Sequence, residues 1–234
     1  MQISQRATSV TVTNTVRGYE TLDRFEYNIH GTITHQMTMA QSSESPDGFS
    51  NSLKFSTTTA DASLTGTQAH YLTTEIEGQD LQQLAYGTSS AKSFTLSFYV
   101  KSSLTGNFAV WTIFRDSTAS NHFVFTINSA NTWERKTITI PALTSGGVAS
   151  GSGRGVSVQF DTGTGSAKNG TAGTWSLDLN NFTESGTVKL TANAGATLQV
   201  TGLQLEVGDT ATTFEHRSIG EEFARCQRYY QQYV

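Results

Sequence analysis

An all-β fold, an antiparallel jelly-roll β-sandwich closed by a short C-terminal α-helix, is what the residue pattern of this chain predicts. The first observation is alternation in mid-chain. Phe94, Leu96, Phe98 and Val100 interleave with Thr95, Ser97, Tyr99 and Lys101, which is the two-residue period of a half-buried strand. The second is repetition of that unit through Phe108, Val110, Thr112 and Phe114, then Phe123, Phe125 and Ile127, then Ile138 and Ile140, with Ser-, Asn-, Asp- and Gly-rich turns between. Consecutive strands about 10–15 residues apart have the spacing of a sandwich. The third is a change of period after Gly208, where Ile219, Phe223, Cys226 and Tyr230 fall on one helical stripe. Ser218 can cap the first turn, and Glu221, three residues on, can complete a capping box.

In chain order, residues 1–17 are polar and Thr-rich, with a short alternation at Val10 and Val12, and read as an N-terminal arm or first strand. Residues 18–216 carry the sandwich and 217–234 the amphipathic helix. Strands are expected around Tyr27 and Ile29, over Ile33–Met39, and from Leu53 and Phe55. Gln41–Ser50 and Thr57–Gln68 form loops. In His70–Glu77, Leu72 and Ile76 point inward while Tyr71, Thr73, Glu75 and Glu77 face out. Gly78–Ala85 reads as one helical turn carrying Leu81 and Leu84. Further strands are expected at Val156–Phe160, Trp175–Leu179 and Val188–Leu190, bracketed by small-residue loops. Leu198 and Val200 begin the closing strand. The parity of its apolar residues slips before Leu203, which predicts a β-bulge at Gly202.

Composition narrows the function classes. Of 234 residues, 36% are hydrophobic and 21 are glycine, an ordinary globular share that argues against disorder. A chain of this length buries roughly 70–75% of its unfolded surface, so its core needs no disulfide or metal. The net charge of −4 lacks the clustered Lys and Arg of a nucleic-acid surface, so no nucleic-acid partner is expected. No apolar run approaches the ~18 residues of a membrane helix, so no membrane insertion is expected, and no secretory signal pattern opens the chain. Cys226 is the single cysteine; on the inner stripe of the helix it reads as a small buried hydrophobe.

Several ordered segments resemble bacteriophage structural proteins, notably the jelly-roll ends of fibre-like proteins of marine phages. These are Gly202-Leu203-Gln204-Leu205-Glu206-Val207-Gly208, Phe214-Glu215-His216-Arg217 and Cys226-Gln227-Arg228-Tyr229-Tyr230. Near the N-terminus, Gln5-Arg6 and the segment from Gly18-Tyr19 to Asp23-Arg24-Phe25 resemble the same domains. The run from Phe94 to Lys101, with Asn131-Thr132-Trp133-Glu134, resembles the central strands of carbohydrate-binding jelly rolls attached to glycoside hydrolases. The resemblance implies a virion protein made in the host cytoplasm, a tail fibre, appendage or head-decoration component, that meets other virion proteins and host surface glycans. It implies a homotrimer as well, because such phage proteins are often trimeric. The fibre-like domains carry an Asn-Gly segment ahead of the methionine where this sequence starts. Either the sequence begins inside a longer family pattern, or it is a freestanding version without a fibre shaft, an appendage or decoration protein. The alternative class is a carbohydrate-active enzyme or its accessory module.

No catalytic constellation is legible. The glycine-rich runs around Gly151–Gly155 and Gly163–Gly170 lack the lysine and hydroxyl that end a phosphate loop, and the five histidines show no metal-motif spacing. Glu75 and Glu77 share one strand face with Cα atoms roughly 6.5–7 Å apart, close to the separation of glycosidase acids. Catalytic pairs, however, normally flank substrate from different elements, so the chain is read as no enzyme. Neighbouring acids on one open face are commonly plain surface decoration; of the functional readings a bound cation ranks above catalysis, and the resemblance to carbohydrate-binding jelly rolls adds a structural Ca²⁺, which needs six or more oxygen ligands. Sugar recognition sets a flat ring against a pyranose face. Tyr71, Tyr99 and Trp111 lie opposite the core alternation, with Asn107, Gln159 and Thr95 as polar partners. The competing reading has a loop or neighbouring subunit covering these rings, or Trp111 joining a second core layer. Phe223, Tyr229, Tyr230 and Tyr233 on the terminal helix are the expected oligomer contacts, against the alternative that the helix packs back on its own sandwich.

Overall fold

The computed structural model describes residues 1–14, 18–177 and 179–232. Its strands are β1 (Ser9–Val12), β2 (Phe25–His30), β3 (Gln36–Ser42), β4 (Ser52–Thr59), β5 (Ala69–Glu77), β6 (Phe94–Ser102), β7 (Gly106–Phe114), β8 (Ala119–Ile127), β9 (Glu134–Ile140), β10 (Arg154–Thr164) and β11 (Thr197–Val207); the helix is α1 (Ile219–Gln227). All pairings between them are antiparallel. One sheet runs β1-β3-β4-β11-β6-β9 and the other β2-β5-β10-β7-β8. The chain crosses repeatedly between the two layers, so the architecture is the jelly-roll sandwich that the alternation implies.

The inward residues of both sheets interlock in one aromatic-rich core. Tyr27, Phe55, Phe94, Phe98, Phe108, Phe114 and Phe160 are essentially inaccessible. Phe98 meets Phe125 and Phe160 edge-on at 5.2 and 5.0 Å, the geometry that ring quadrupoles favour. At one end of this layer His70 is buried against His35, their rings 4.6 Å apart, and neither nitrogen of His70 has a partner among the described residues.

The bulge in β11 falls where it was expected. Register slips between Thr201 and Gln204 opposite β6, and Gly202 sits at φ +60°. A Cβ there would come within 2.7 Å of the Phe49 ring and 3.0 Å of Tyr99, so only glycine admits both rings. The capping signal of α1 also holds, since Ser218 Oγ accepts from Glu221 N at 3.2 Å.

Other expectations are corrected. Val188–Leu190 is not a strand, and Leu190 opens a short 3₁₀ turn. In Trp175–Leu179 the sheet contact is an isolated bridge from Ser176 to Ser120. The cause is the folding of segment 165–190 across the outer face of the five-stranded sheet, where side chains and scattered backbone bonds, such as Gly173 N to the His122 carbonyl and Val188 N to the Asn107 carbonyl, hold it in place of a continuous ladder. The helix is shorter than 217–234. It ends at Gln227, and Tyr229 and Tyr230 both donate backbone N–H bonds to the Cys226 carbonyl. Tyr230 therefore lies beyond the helical stripe.

Candidate functional site

The outer face of the five-stranded sheet collects the polar side chains that alternation turns away from the core. One row crosses every strand: Glu26 on β2 lies opposite Thr73 on β5, then Gln159 on β10, Trp111 on β7 and His122 on β8. The next row toward the end of β5 places Glu75 beside Ser157 and Ile113. The row on the other side pairs Asn28 with Tyr71 and Tyr71 with Asp161.

Segment 165–190 roofs one half of this face. Phe182 stacks on Trp111, with ring centroids 4.9 Å apart and planes 8° from parallel. Asn181 Oδ1 meets His122 Nδ1 at 2.7 Å. Lys189 Nζ donates to Asp161 Oδ2 at 2.9 Å, to Thr183 Oγ1 at 3.0 Å and to Thr187 Oγ1 at 2.8 Å. Asp161 also accepts from Thr183 Oγ1 at 3.0 Å and from Gly163 N at 2.9 Å. In the central row Thr73 Oγ1, both amide atoms of Gln159 and Trp111 Nε1 lack hydrogen-bond partners among the described residues, and His122 Nε2 faces the Glu184 carboxylate at 3.9 Å. Buried polar atoms of native proteins are almost always bonded, so hydroxyl-bearing partners, ordered water or ligand, suit this row chemically.

The other half is open. Tyr71 is half-buried, its edge on Trp111 at 5.0 Å. Around it Asn28 Nδ2 donates to Glu26 Oε1 at 2.7 Å, and Glu75 accepts from Arg115 at 3.1 Å and from Ser157 Oγ at 2.5 Å. The Arg154 guanidinium, 54% exposed, lies 3.6 Å from Glu26 and 3.7 Å from Glu75. Burial first, and then Glu26 and Glu75, push the Tyr71 phenol upward, so it remains a hydroxyl donor at neutral pH. The result is a surface patch with one half-buried aromatic ring and neighbouring carboxylate, amide and guanidinium groups, the set that hydrogen-bonds a polyol.

The expected sugar platform is therefore only partly assembled. Trp111 is fully buried and joins a second, outer core layer with Ala69, Ile113 and Phe182, as the competing reading had it. Tyr99 belongs to β6 of the opposite sheet, 5.3 Å from Phe49 in a cluster with Phe214 and His216. It cannot share a ligand with Tyr71. Gln159 lies beneath the roof. Asn107 is exposed, accepts from Thr126 at 2.8 Å and sits two positions along the same face from Ala109. The partner expected of Thr95 is likewise absent from this face, since Thr95 is buried on β6 with its hydroxyl on the Gly208 carbonyl. The sequence reading missed Glu26, Asn28, Arg115 and Arg154. The parity of Glu26 and Asn28 opposite Tyr27 and Ile29 was the available signal, whereas nothing local marked the arginines.

The acid pair is corrected too. Glu77 is bound end-on by Arg228, at 2.9 and 2.8 Å, and accepts from Tyr229 Oη at 2.6 Å. The Arg228 and Tyr229 bonds hold its carboxyl down at about 2. Glu75 faces Arg115. The two acids thus serve separate cationic partners, and among the described residues no group of three or more His, Cys, Asp or Glu is placed to hold a metal ion. No helix among the described residues is long and apolar enough to cross a membrane.

Of the expected oligomer contacts, Tyr229 is engaged by Glu77, and Tyr230 lies under Arg6 at 3.6 Å, with its carbonyl accepting from Gln5. Phe223 stays 40% exposed and Ile219 64% exposed. Tyr233 lies outside the described residues. Cys226 is buried, and burial raises its thiol to about 11, so it is the neutral small hydrophobe expected.

No protein-family profile matches the chain, and no curated protein sequence matches it. Solved structures do overlay on it. The enzymatically active domain of tailspike protein 4 of bacteriophage CBA120 is 11% identical over 79% of this chain, with a TM-score of 0.44; the chain spans 19% of that protein. The family 11 carbohydrate-binding module of Clostridium thermocellum, solved with a mixed-linked β-1,3-1,4 tetrasaccharide, is 11% identical over 87% of this chain and 98% of its own, with a TM-score of 0.40. A C-terminal family 22 carbohydrate-binding module from Clostridium thermocellum is 8% identical over 80% and 88%, with a TM-score of 0.41.

Proposed function

We propose that this protein is a non-catalytic glycan-binding β-sandwich of a phage particle, a fibre, appendage or head-decoration component that meets host surface glycans. The observation that carries the glycan reading is the open half of the five-stranded sheet. There the half-buried Tyr71 ring is framed by Glu26, Asn28, Glu75, Arg115 and Arg154. A pyranose ring stacks on an aromatic face by its C–H bonds, and its hydroxyls need the donors and acceptors that these five groups carry. Both carboxylates already face guanidinium groups, which suits binding rather than proton transfer. The virion setting rests on the resemblance of the Gly202–Gly208 and Cys226–Tyr230 segments.

A glycan array read with the intact chain tests the patch. Tyr71→Ala is expected to lower affinity for the best ligand at least tenfold, and Trp133→Ala, outside the patch, to leave it unchanged. Retention of full affinity by Tyr71→Ala would remove the patch as the site. The homotrimer is likewise proposed, with Phe223 and the half-exposed Tyr229 from the expected set and the neighbouring exposed Ile219 as its contact surface. Sedimentation is expected to show a trimer that Phe223→Glu dissociates; a monomer across the full concentration range would refute it.

A further inference from the structure

Where the N-terminal segment, the turn before β2 and the residues after α1 meet, three tyrosines wall a pocket of about 230 Å³. It is lined by Arg6, Tyr19, Asp23, Arg24, Glu75, Cys226, Tyr229 and Tyr230. This volume lies below the ~300–1,000 Å³ of sites for drug-sized ligands and suits a single sugar unit. The Cys226–Tyr230 segment, first read as an assembly surface, supplies one whole wall.

Two arginines and two carboxylates line the pocket, and both carboxylates are engaged by partners other than Arg24. Asp23 accepts from Arg6 at 3.3 Å and from the Gln5 side chain at 2.5 Å. Glu75 is held by Arg115 and Ser157. Arg24 makes no ion pair among the described residues, and its guanidinium lies 5.7 Å from the centre of the Tyr229 ring. Its backbone is also unusual. Phe25 N bonds back to the Leu22 carbonyl at 3.2 Å, making Arg24 the third residue of a turn at φ +68°, a position that ordinarily goes to glycine. Arg24 thus combines a conformation that glycine usually takes with a guanidinium outside any ion pair among the described residues and beside the Tyr229 ring, a combination that suits a ligand contact.

We infer that the three-tyrosine pocket is a second binding site, specific for a carboxylate-bearing sugar unit such as a uronic or sialic acid, with Arg24 receiving the carboxylate. Tyr229 and Tyr19 present ring faces to the sugar's C–H surface, and the planar guanidinium matches a carboxylate with two parallel N–H bonds. The site adjoins the Tyr71 surface at Glu75, which borders both, but its proposed carboxylate contact, Arg24, and its three tyrosines belong to the pocket alone.

Amide chemical shifts of the ¹⁵N-labelled full chain, titrated with galacturonate and N-acetylneuraminate, read the pocket directly. Saturable shifts at Arg24, Cys226, Tyr229 and Tyr230 are expected with at least one acid sugar, together with at least tenfold weaker responses to galactose and to acetate. Arg24→Gln should abolish the response. Arg24→Gly should abolish it while leaving Tm unchanged or raised, because glycine accepts the turn. Tyr71→Ala should leave it intact, which separates this site from the patch. The inference is overturned by silence toward both acids, by an equal response to galactose or acetate, by survival of the response in Arg24→Gln, or by its loss in Tyr71→Ala.

Discussion

At Trp111 the alternation of β7 turns an indole away from the inter-sheet core, and a second set of contacts then buries it. Phe182 lies flat on the ring and Tyr71 meets its edge. The indole is thereby a packing residue of an outer layer, and its removal should act as a core deletion does. Trp111→Ala is expected to cost about 3–5 kcal/mol in urea unfolding; a loss below about 1 kcal/mol would mean that the roof does not rest on this ring. Gly202 illustrates the opposite case, where a local signal sufficed. The slip in apolar parity located the bulge before any contact was known, although Phe49 and Tyr99, the rings that require glycine there, come from elsewhere in the chain.

At the scale of elements, segment 165–190 decides what the five-stranded sheet can offer a ligand. It carries little ladder of its own and is fastened through Lys189 on the fully buried Asp161, with Thr183 and Thr187 completing the coordination of the ammonium. Removing one partner of such a pair leaves a charge stranded in the interior. Lys189→Ala is expected to destabilise by about 3 kcal/mol and to loosen the roof, read as a red shift of Trp111 emission and faster exchange of the Phe182 and Gly170 amides. Unchanged exchange would show that the remaining contacts, Phe182 on Trp111 and Asn181 on His122 among them, hold the segment without Lys189. This element was the least legible in the sequence. Its small polar residues carry no period, and the short apolar clusters at Trp175–Leu179 and Val188–Leu190 divide instead, with Trp175, Val188 and Leu190 packing against the core and Leu177 and Leu179 exposed.

Across the whole molecule, the buried histidines set an acid limit. Burial, reinforced by the neighbouring His35, drives His70 down to about 3, and burial lowers His35 and His122 in the same direction. Unfolded histidine binds its proton near ~6.5. Between these values the unfolded chain holds more protons, so stability is full above ~6.5 and falls as the pH drops toward 3. His70 alone should remove about 2 kcal/mol by pH 5. Glu77, held at about 2 by Arg228 and Tyr229, contributes stability that is lost only as the pH falls from the ordinary carboxylate range toward 2. The window from pH 6.5 to 5 therefore belongs to the histidines. Urea midpoints that stay level from pH 7.5 to 5.0 would contradict their burial as neutral rings.

What the residue order determined by itself was periodic: an antiparallel β-sandwich with its best-patterned strands, the bulge at Gly202, the cap at Ser218 and the inward burial of Cys226. Each follows from side-chain direction along a strand or helix, which the nearest few residues dictate. The tertiary structure alone decided which outward residues share a surface. Tyr71 and Tyr99 have the same parity on their own strands, yet the topology sends β5 and β6 to opposite sheets. Glu75 and Glu77 are two residues apart, yet Arg115 claims one and Arg228, more than a hundred residues further along, claims the other. A binding surface is a product of strand order and of loops crossing a sheet, both of which depend on contacts between residues distant in the chain. Local period carries no record of those contacts.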